Sequence, residues 1–571
     1  MSKLRIDTGS SSFRELRENN LYYVDKTDFV EEFIENVPQK ATLITRPRRF
    51  GKSMTLSMLS DFFEITYDSK ELFLDLKISK NKNICEEWMN RYPVLLLDLK
   101  RVEAHSFKEA IKQIARAVSF AVMQHMELFS SKDIDSDQKK ELRKLKIVTS
   151  NEELLQSSLQ LLTLSLSLVH KKETIILIDE YDVPILTAQK YGYYEEMLSF
   201  MRCFIGNACK GNKCLKFSIM TGCLRIAKES SFSGLNNIDC YDITKNVFAD
   251  KIGFTNEDVE KVLADAGLSQ KKELIKEWYD GYCFGAAQEM YCPWDVLHYV
   301  RDVQNDNAAQ PEAYWLNTSA NEDVKRCFEQ ATQSVWEKVS ALFQKGYLTT
   351  EINSTLTYGE LGSSEEALWT MLYLTGYLTR DRKHALQELA DEDGQAVQPV
   401  QTALCIPNKS IEMVFTKNIT LWLKRTVRKM DLEDFLKAFW SCDGKAVTAA
   451  LSAIILKTIS CFDAYKEDYY HGVVTGIFYC QSCTTKSNPE SGHGFTDLII
   501  EDTANNCAAV IEIKRAASIK GLGRAAGTAL RQIKKSAYDA PLLDRYETVL
   551  HWGFAFFSKH CLTKGAAVKK L

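Results

Sequence analysis

The stretch TRPRRFGKSMTLSML, Thr45 to Leu59, decides how the first half of this chain is read. Gly51, Lys52 and Ser53 supply the end of a phosphate-binding loop: backbone N–H groups ahead of a helix, a lysine that reaches outer phosphates, and a hydroxyl suited to Mg²⁺. The flanks agree. ATLITR (Ala41 to Arg46) reads as a short buried strand, and the residues after Lys52 carry apolar side chains at helical spacing. One position departs, because Arg46 stands where such loops carry their first glycine, and Pro47 restricts it to an extended path. The loop is expected to be reshaped, with Arg46, Arg48 and Arg49 placed to bring positive charge to phosphate. The residues alone leave a broken site and a working variant both open.

Working outward, YPVLLLDLK (Tyr92 to Lys100), ETIILIDEYD (Glu173 to Asp182) and LKFSIMTG (Leu215 to Gly222) are further apolar runs of strand length, separated by helical patterns. Strands alternating with helices predict a parallel sheet covered on both faces. TIILIDE ends in two carboxylates, Asp179 and Glu180, where phosphate-loop enzymes place a magnesium-associated aspartate and a water-polarising glutamate. SIMTG ends its strand in Thr221, a candidate sensor of the γ-phosphate. Taken singly, FGKS could cap a helix, DE could be a solvated strand end and Thr221 a turn residue. All three in order on strand ends are harder to obtain by accident.

The chain has 571 residues, too many for one hydrophobic core, so two to four domains are expected. With 45% hydrophobic and 26% charged residues it has the composition of an ordinary globular protein. A net charge of −4 does not advertise a polyanion partner. The last stretch differs: from Ala508 to Leu571 there are 12 Lys and Arg against 4 Asp and Glu, a local excess of eight positive charges. Sixteen scattered cysteines, a polar start and no long apolar run predict an intracellular, cytoplasmic protein with reduced thiols and no membrane span.

From about Thr255 the pattern turns helical with aromatic-rich turns, EWYDGYCFG (Glu277 to Gly285) and YCPWDVL (Tyr291 to Leu297), and predicts an all-helical stretch reaching roughly Pro407. Trp278, Tyr279, Tyr282 and Trp294 are expected to pack its core. Near Met430 a small α/β region begins. FTDLIIED and CAAVIEIKRA read as a hairpin, AAGTALRQIKKSAYDA as a helix and HWGFAFF as a final strand.

In VIEIKRA, Glu512 and Lys514 are two apart and share a strand face, with Ile511 and Ile513 on the other. The hairpin brings Asp497 beside Glu512, and Glu467 in YKEDYYHG can add a carboxylate. Metal-dependent phosphodiester cleavage needs such carboxylates around Mg²⁺ and a lysine near the attacking water. A lone E-x-K is common on half-exposed strands, so the ordered set carries the argument. Cys480 and Cys483 form a single C-x-x-C, read as a reduced couple rather than a zinc site, and His471 and His493 as loop or helix-end residues.

NNLYYVDKTDFV (Asn19 to Val30), RPRRFGKS, LIDEYD, MTGCLRIAKESSFSGLNNI and WYDGYCFG through YCPWDVL together resemble the AAA-ATPase-like proteins whose C-terminal domain belongs to the PD-(D/E)XK nuclease superfamily. The resemblance covers most of the chain. It implies that Arg46 is a family trait, answering the loop in favour of a variant site. It further implies that Tyr23, Asp25, Lys26 and Thr27 lie near the nucleotide, that Arg225 is a candidate to act on the γ-phosphate, and that Gln532 and Tyr538 support the nuclease site or touch DNA. The family's usual Gly-Tyr-Gly-Arg-Tyr-Asp is Gly492-His493-Gly494-Phe495-Thr496-Asp497 here, which changes the expected substrate contacts and keeps the aspartate.

The expectation is thus an α/β chain: a P-loop ATPase domain over residues 1–250, a helical connecting domain over 251–425 and a restriction-endonuclease-like domain over 430–571. ATP is expected at Arg46, Gly51, Lys52, Ser53, Asp179 and Thr221, with Glu180 catalytic and Mg²⁺ on Ser53 and Asp179. A second Mg²⁺ is expected on Glu467, Asp497 and Glu512, with Lys514 catalytic and DNA as partner; assembly into an oligomer is compatible with the sequence. The alternative is a nucleotide-dependent switch whose nuclease fold no longer cuts.

Overall fold

The computed structural model describes residues 3–36, 40–224, 238–314, 334–335, 338–339, 342, 346–353, 356, 358–360, 364–384, 401–415, 433–458, 470–471, 474–475, 477–478, 483–487, 489–491 and 494–569. The chain divides into two compact units, one of Met1–Trp315 and Thr350–Ile411, the other of Leu316–Thr349 and Glu412–Leu571. The first unit therefore takes in much of the middle stretch as well as the N-terminal sheet.

That sheet has five parallel strands, β1 (Ala41–Thr45), β2 (Val94–Asp98), β3 (Thr174–Asp179), β4 (Leu215–Gly222) and β5 (Ile238–Tyr241), in the order β2-β3-β4-β1-β5. β1 and β3 are buried along their whole length, which is why β1 is all apolar residues and threonine and β3 carries only Asp179, at its end, as a charged residue. The order sets β4 between the strand that enters the phosphate loop and the strand that ends in Asp179. Thr221 of β4 pairs with Ile44, one residue before the end of β1.

Helices Asn256–Ala266, Lys272–Tyr279 and Pro293–Asn305 follow, packed around Val259, Val262, Ile275, Tyr279, Val296 and Tyr299. The stretch from Thr255 to Pro407 is not all helical, however. Tyr282–Phe284 (β6) and Ala287–Met290 (β7) form an antiparallel hairpin, and β8 (Leu348–Glu351), β9 (Thr379–Arg380) and β10 (Gln401–Cys405) a three-stranded sheet in the order β8-β10-β9. Two to five residues are too short for periodicity to announce, and in β6 the alternation is only Tyr282 and Phe284 buried around a half-exposed Cys283.

The C-terminal unit contains β11 (Thr484–Ser487), the small hairpin β12 (Glu490–Ser491) and β13 (Gly494–Phe495), then β14 (Leu498–Asp502), β15 (Cys507–Arg515), β16 (Thr548–Phe557) and β17 (His560–Lys569). Its main sheet runs β11-β14-β15-β16-β17. β14 and β15 form the expected hairpin, with Leu498 opposite Ile511. β15 and β16 are parallel, so a crossover is required, and helix Leu522–Lys535 provides it. β17 was not expected. Its small residues and lysines give weak alternation, and it is fixed by ten cross-strand pairs with β16. No disulfide joins the described cysteines. Among the described residues, no helix is long and apolar enough to cross a membrane.

Candidate functional site

The phosphate loop begins where β1 leaves the sheet. Arg46 is fully buried, and its guanidinium donates to the carbonyls of Thr45 (2.8 Å), Tyr241 (2.9 Å) and Phe248 (2.7 Å). Burial pushes its pKa down to about 10, against the pull of Asp242. The charge expected at phosphate is therefore committed to backbone carbonyls, and the residue in the first glycine's place acts as a bolt between β1, β5 and the chain beyond.

Two residues of the loop take left-handed backbone conformations, Arg49 (φ +69°) and Gly51 (φ +97°). For Arg49 that conformation costs about 1–2 kcal/mol. Side-chain contacts offset it: the guanidinium lies 3.9 Å from the centre of the Trp294 ring and donates to the Tyr314 carbonyl at 3.3 Å. Phe50 beside it is buried edge-on against Tyr282, 5.0 Å between ring centres. Tyr282 is buried against the loop through Phe50, and the partly buried Trp294 grips the loop through Arg49.

Gly51 starts helix Lys52–Phe63. Lys52 Nζ donates to the carbonyls of Arg46 (3.2 Å) and Pro47 (3.3 Å) and pairs with Glu180 at 3.5 Å. Burial opposes its charge, but Cys223, Glu180, Asp182 and Asp179 outweigh that and hold its pKa above the ordinary lysine range. Ser53 Oγ donates to Asp179 Oδ2 at 2.5 Å and Thr221 Oγ1 to Asp179 Oδ1 at 2.6 Å. Burial first, then Glu180, raises the Asp179 pKa, against Ser53, Thr221 and Lys52. Lys52, Ser53, Asp179, Glu180 and Thr221 are therefore gathered at one place.

Tyr23, Asp25, Lys26 and Thr27 hold the fold near the chain's start: Asp25 accepts from Thr27 Oγ1 (2.7 Å) and the Lys77 N–H (2.6 Å), and Lys26 pairs with Asp258. Arg225 lies outside the described residues.

In the C-terminal unit, Asp497 Oδ2 accepts the N–H of Ile513 at 2.6 Å, which docks the start of β14 onto β15. His471, expected as a helix-end residue, donates from Nε2 to the Asp497 carbonyl at 2.9 Å, so it braces that aspartate. Glu512 is only 1% exposed, because β15 is covered on both faces from Ala508 to Ile513. Burial and the neighbouring Asp497 push its carboxyl up to about 7, against the pull of Lys514, whose ammonium lies 2.9 Å from Glu512 Oε1. Glu512 Oε2 is buried without a hydrogen-bond partner among the described residues. Tyr538 belongs to the core beneath, with Ile533 and Val549, and its carbonyl accepts from Ser491 Oγ at 2.7 Å. Gln532 sits half-buried on helix Leu522–Lys535. Glu467, Cys480, Gly492 and His493 lie outside the described residues.

Both centres fit a hard divalent cation. Mg²⁺ takes oxygen donors, commonly one or two carboxylates with the rest from water and phosphate. Ser53 and Asp179 offer a hydroxyl and a carboxylate in contact. Asp497 and Glu512 offer two mutually repelling carboxylates and an unclaimed buried oxygen, an arrangement a cation would relieve. Among the described residues no group of three or more His, Cys, Asp and Glu converges as a metal site.

Residues 7–232 match the family described as Predicted AAA-ATPase, and residues 465–565 match the PD-(D/E)XK nuclease superfamily. A protein of Azotobacter chroococcum mcd 1, described as an uncharacterized protein in the vnfD 5' region, is 24% identical over 370 residues. That similarity takes in 62% of this chain and 63% of the relative, so the match spans less than two thirds of the relative's length.

Proposed function

From a chain that carries an AAA-ATPase-like domain and a PD-(D/E)XK nuclease superfamily domain, we propose an ATP-hydrolysing protein coupled to Mg²⁺-dependent DNA cleavage. The observation that supports it is that each centre keeps its chemistry-bearing side chains within bonding reach: Ser53 and Thr221 on Asp179 with Lys52 on Glu180, and Lys514 on Glu512 beside Asp497.

At the first centre Lys52 would bind the outer phosphates of ATP, Ser53 and Asp179 would hold Mg²⁺, Thr221 would sense the γ-phosphate through Asp179, and Glu180 would orient the attacking water. At the second, Asp497 and Glu512 would hold the cation and Lys514 would orient or deprotonate the water. When bound, the divalent ions neutralise negative charge developing on the phosphoryl oxygens. Helix Leu522–Lys535 exposes Arg524, Arg531, Lys534 and Lys535 and contains no acidic residue, so it suits a phosphate backbone.

A plasmid-nicking assay with Mg²⁺, with and without ATP, tests the proposal. Wild type should nick and Lys514→Ala should lose about 100-fold or more. No cutting under any condition, with ATP still hydrolysed, would favour a nucleotide-dependent switch on a non-cutting nuclease fold.

A further inference from the structure

The acidic run that ends β3 continues past Glu180 to Tyr181 and Asp182, residues so far without a part in the chemistry. Asp182 is 2% exposed, yet its Oδ2 accepts three bonds. They come from the N–H groups of Cys223 (2.7 Å) and Leu224 (3.1 Å) and from the hydroxyl of Tyr358 (2.5 Å). Tyr181 closes the same junction: its N–H donates to the Thr221 carbonyl at 3.0 Å and its hydroxyl to the Leu224 carbonyl at 2.7 Å. Gly222 lies between them, where a Cβ would stand 2.7 Å from both Asp182 Oδ1 and Tyr181 Cε1. The strand that carries Thr221 thus leaves the sheet through a clamp made by the residues that follow Asp179 and Glu180.

Burying a carboxylate is costly, and donors gathered on it offset that cost. The location of this investment is informative. The gripped amides follow Thr221 by two and three residues, and Thr221 bonds Asp179 directly. The third donor, Tyr358, comes shortly after Thr350, where the chain re-enters the first unit.

We propose that Asp182 is a positioning residue for ATP hydrolysis, which fixes the end of β4, and with it the Thr221 hydroxyl on Asp179, by gathering Cys223, Leu224 and Tyr358 on one oxygen. Tyr358 ties the segment beyond Thr350 to that arrangement. The inference rests on the ATPase reading above.

Two measurements on the full chain test it: hydrogen exchange at the Cys223 and Leu224 amides, and steady-state ATP hydrolysis. Asp182→Asn should speed exchange at those amides by about tenfold or more while the β1 amides keep their rates. It should also lower kcat by about tenfold with KM for ATP within about twofold. Tyr358→Phe, which removes one hydroxyl and no volume elsewhere, should move both readouts the same way by about threefold. Unchanged exchange at 223 and 224 in both variants, or a KM that worsens in step with kcat, would overturn the proposal. A wild-type chain that hydrolyses no ATP would instead remove the ATPase reading, and the exchange measurement would still decide whether Asp182 holds the strand end.

Discussion

Arg46 separates the part of a phosphate loop that touches ligand from the part that holds the loop in place. With three carbonyls on its guanidinium, Arg46→Met leaves buried acceptors unpaired at about 1–3 kcal/mol each. A loss on the order of 3 kcal/mol or more in a denaturant titration is expected. A variant of wild-type stability with weakened ATP binding would show that the arginine serves phosphate instead. Asp295 offers a pH test. It is buried, with Oδ1 unpartnered among the described residues, and burial pushes its carboxyl up to about 7, against Cys292 and Arg49. The folded state therefore holds a proton that the unfolded state releases near pH 4. This contribution to stability is full below the unfolded pKa and is lost as pH rises through 7. Asp295→Asn should raise stability at pH 8 by about 2–4 kcal/mol, and the gain should vanish near pH 4. A pH-independent difference would contradict the assignment.

At the scale of elements, the phosphate loop is a joint product of β1, helix Lys52–Phe63, the β6–β7 hairpin and helix Pro293–Asn305. Trp294→Ala removes the surface on which Arg49 rests, a contact of about 0.5–2 kcal/mol, and frees the loop from its left-handed turn. ATP affinity measured by calorimetry should fall about three- to tenfold, with Lys52 and Ser53 intact. Unaltered affinity would show that the loop keeps its shape without the ring. The elements also show what could be read in advance. Asp179, Thr221, Asp497 and Glu512 stand at strand ends or in strands whose apolar runs are long enough to recognise, so each could be placed on its strand in advance, and the hairpin placed Asp497 beside Glu512. The parts of Arg46, Asp182, His471 and Trp294 depend on carbonyls, amides and rings brought from 26 to 245 residues away. No local pattern encodes such partners. β6 and β9 escaped because they are too short for periodicity, and β17 because one of its faces is open.

The whole molecule joins two sites of related electrostatic design in one acidic chain. Each sets carboxylate oxygen beside a lysine, Lys52 with Glu180 and Lys514 with Glu512, and under the proposed function each takes a divalent cation and a phosphate ester. The basic surface of helix Leu522–Lys535 lies in the unit that holds Glu512, so the positive charge that the proposed DNA contact uses is local rather than spread over a protein of net charge −4. The most direct test is the number of Mn²⁺ ions bound per chain, counted by electron paramagnetic resonance in the presence of a non-hydrolysable ATP analogue. The account predicts occupancy at both centres, with one class of ion lost in Ser53→Ala and a different class lost in Asp497→Asn. Equal Mn²⁺ binding by wild type and both variants would contradict it.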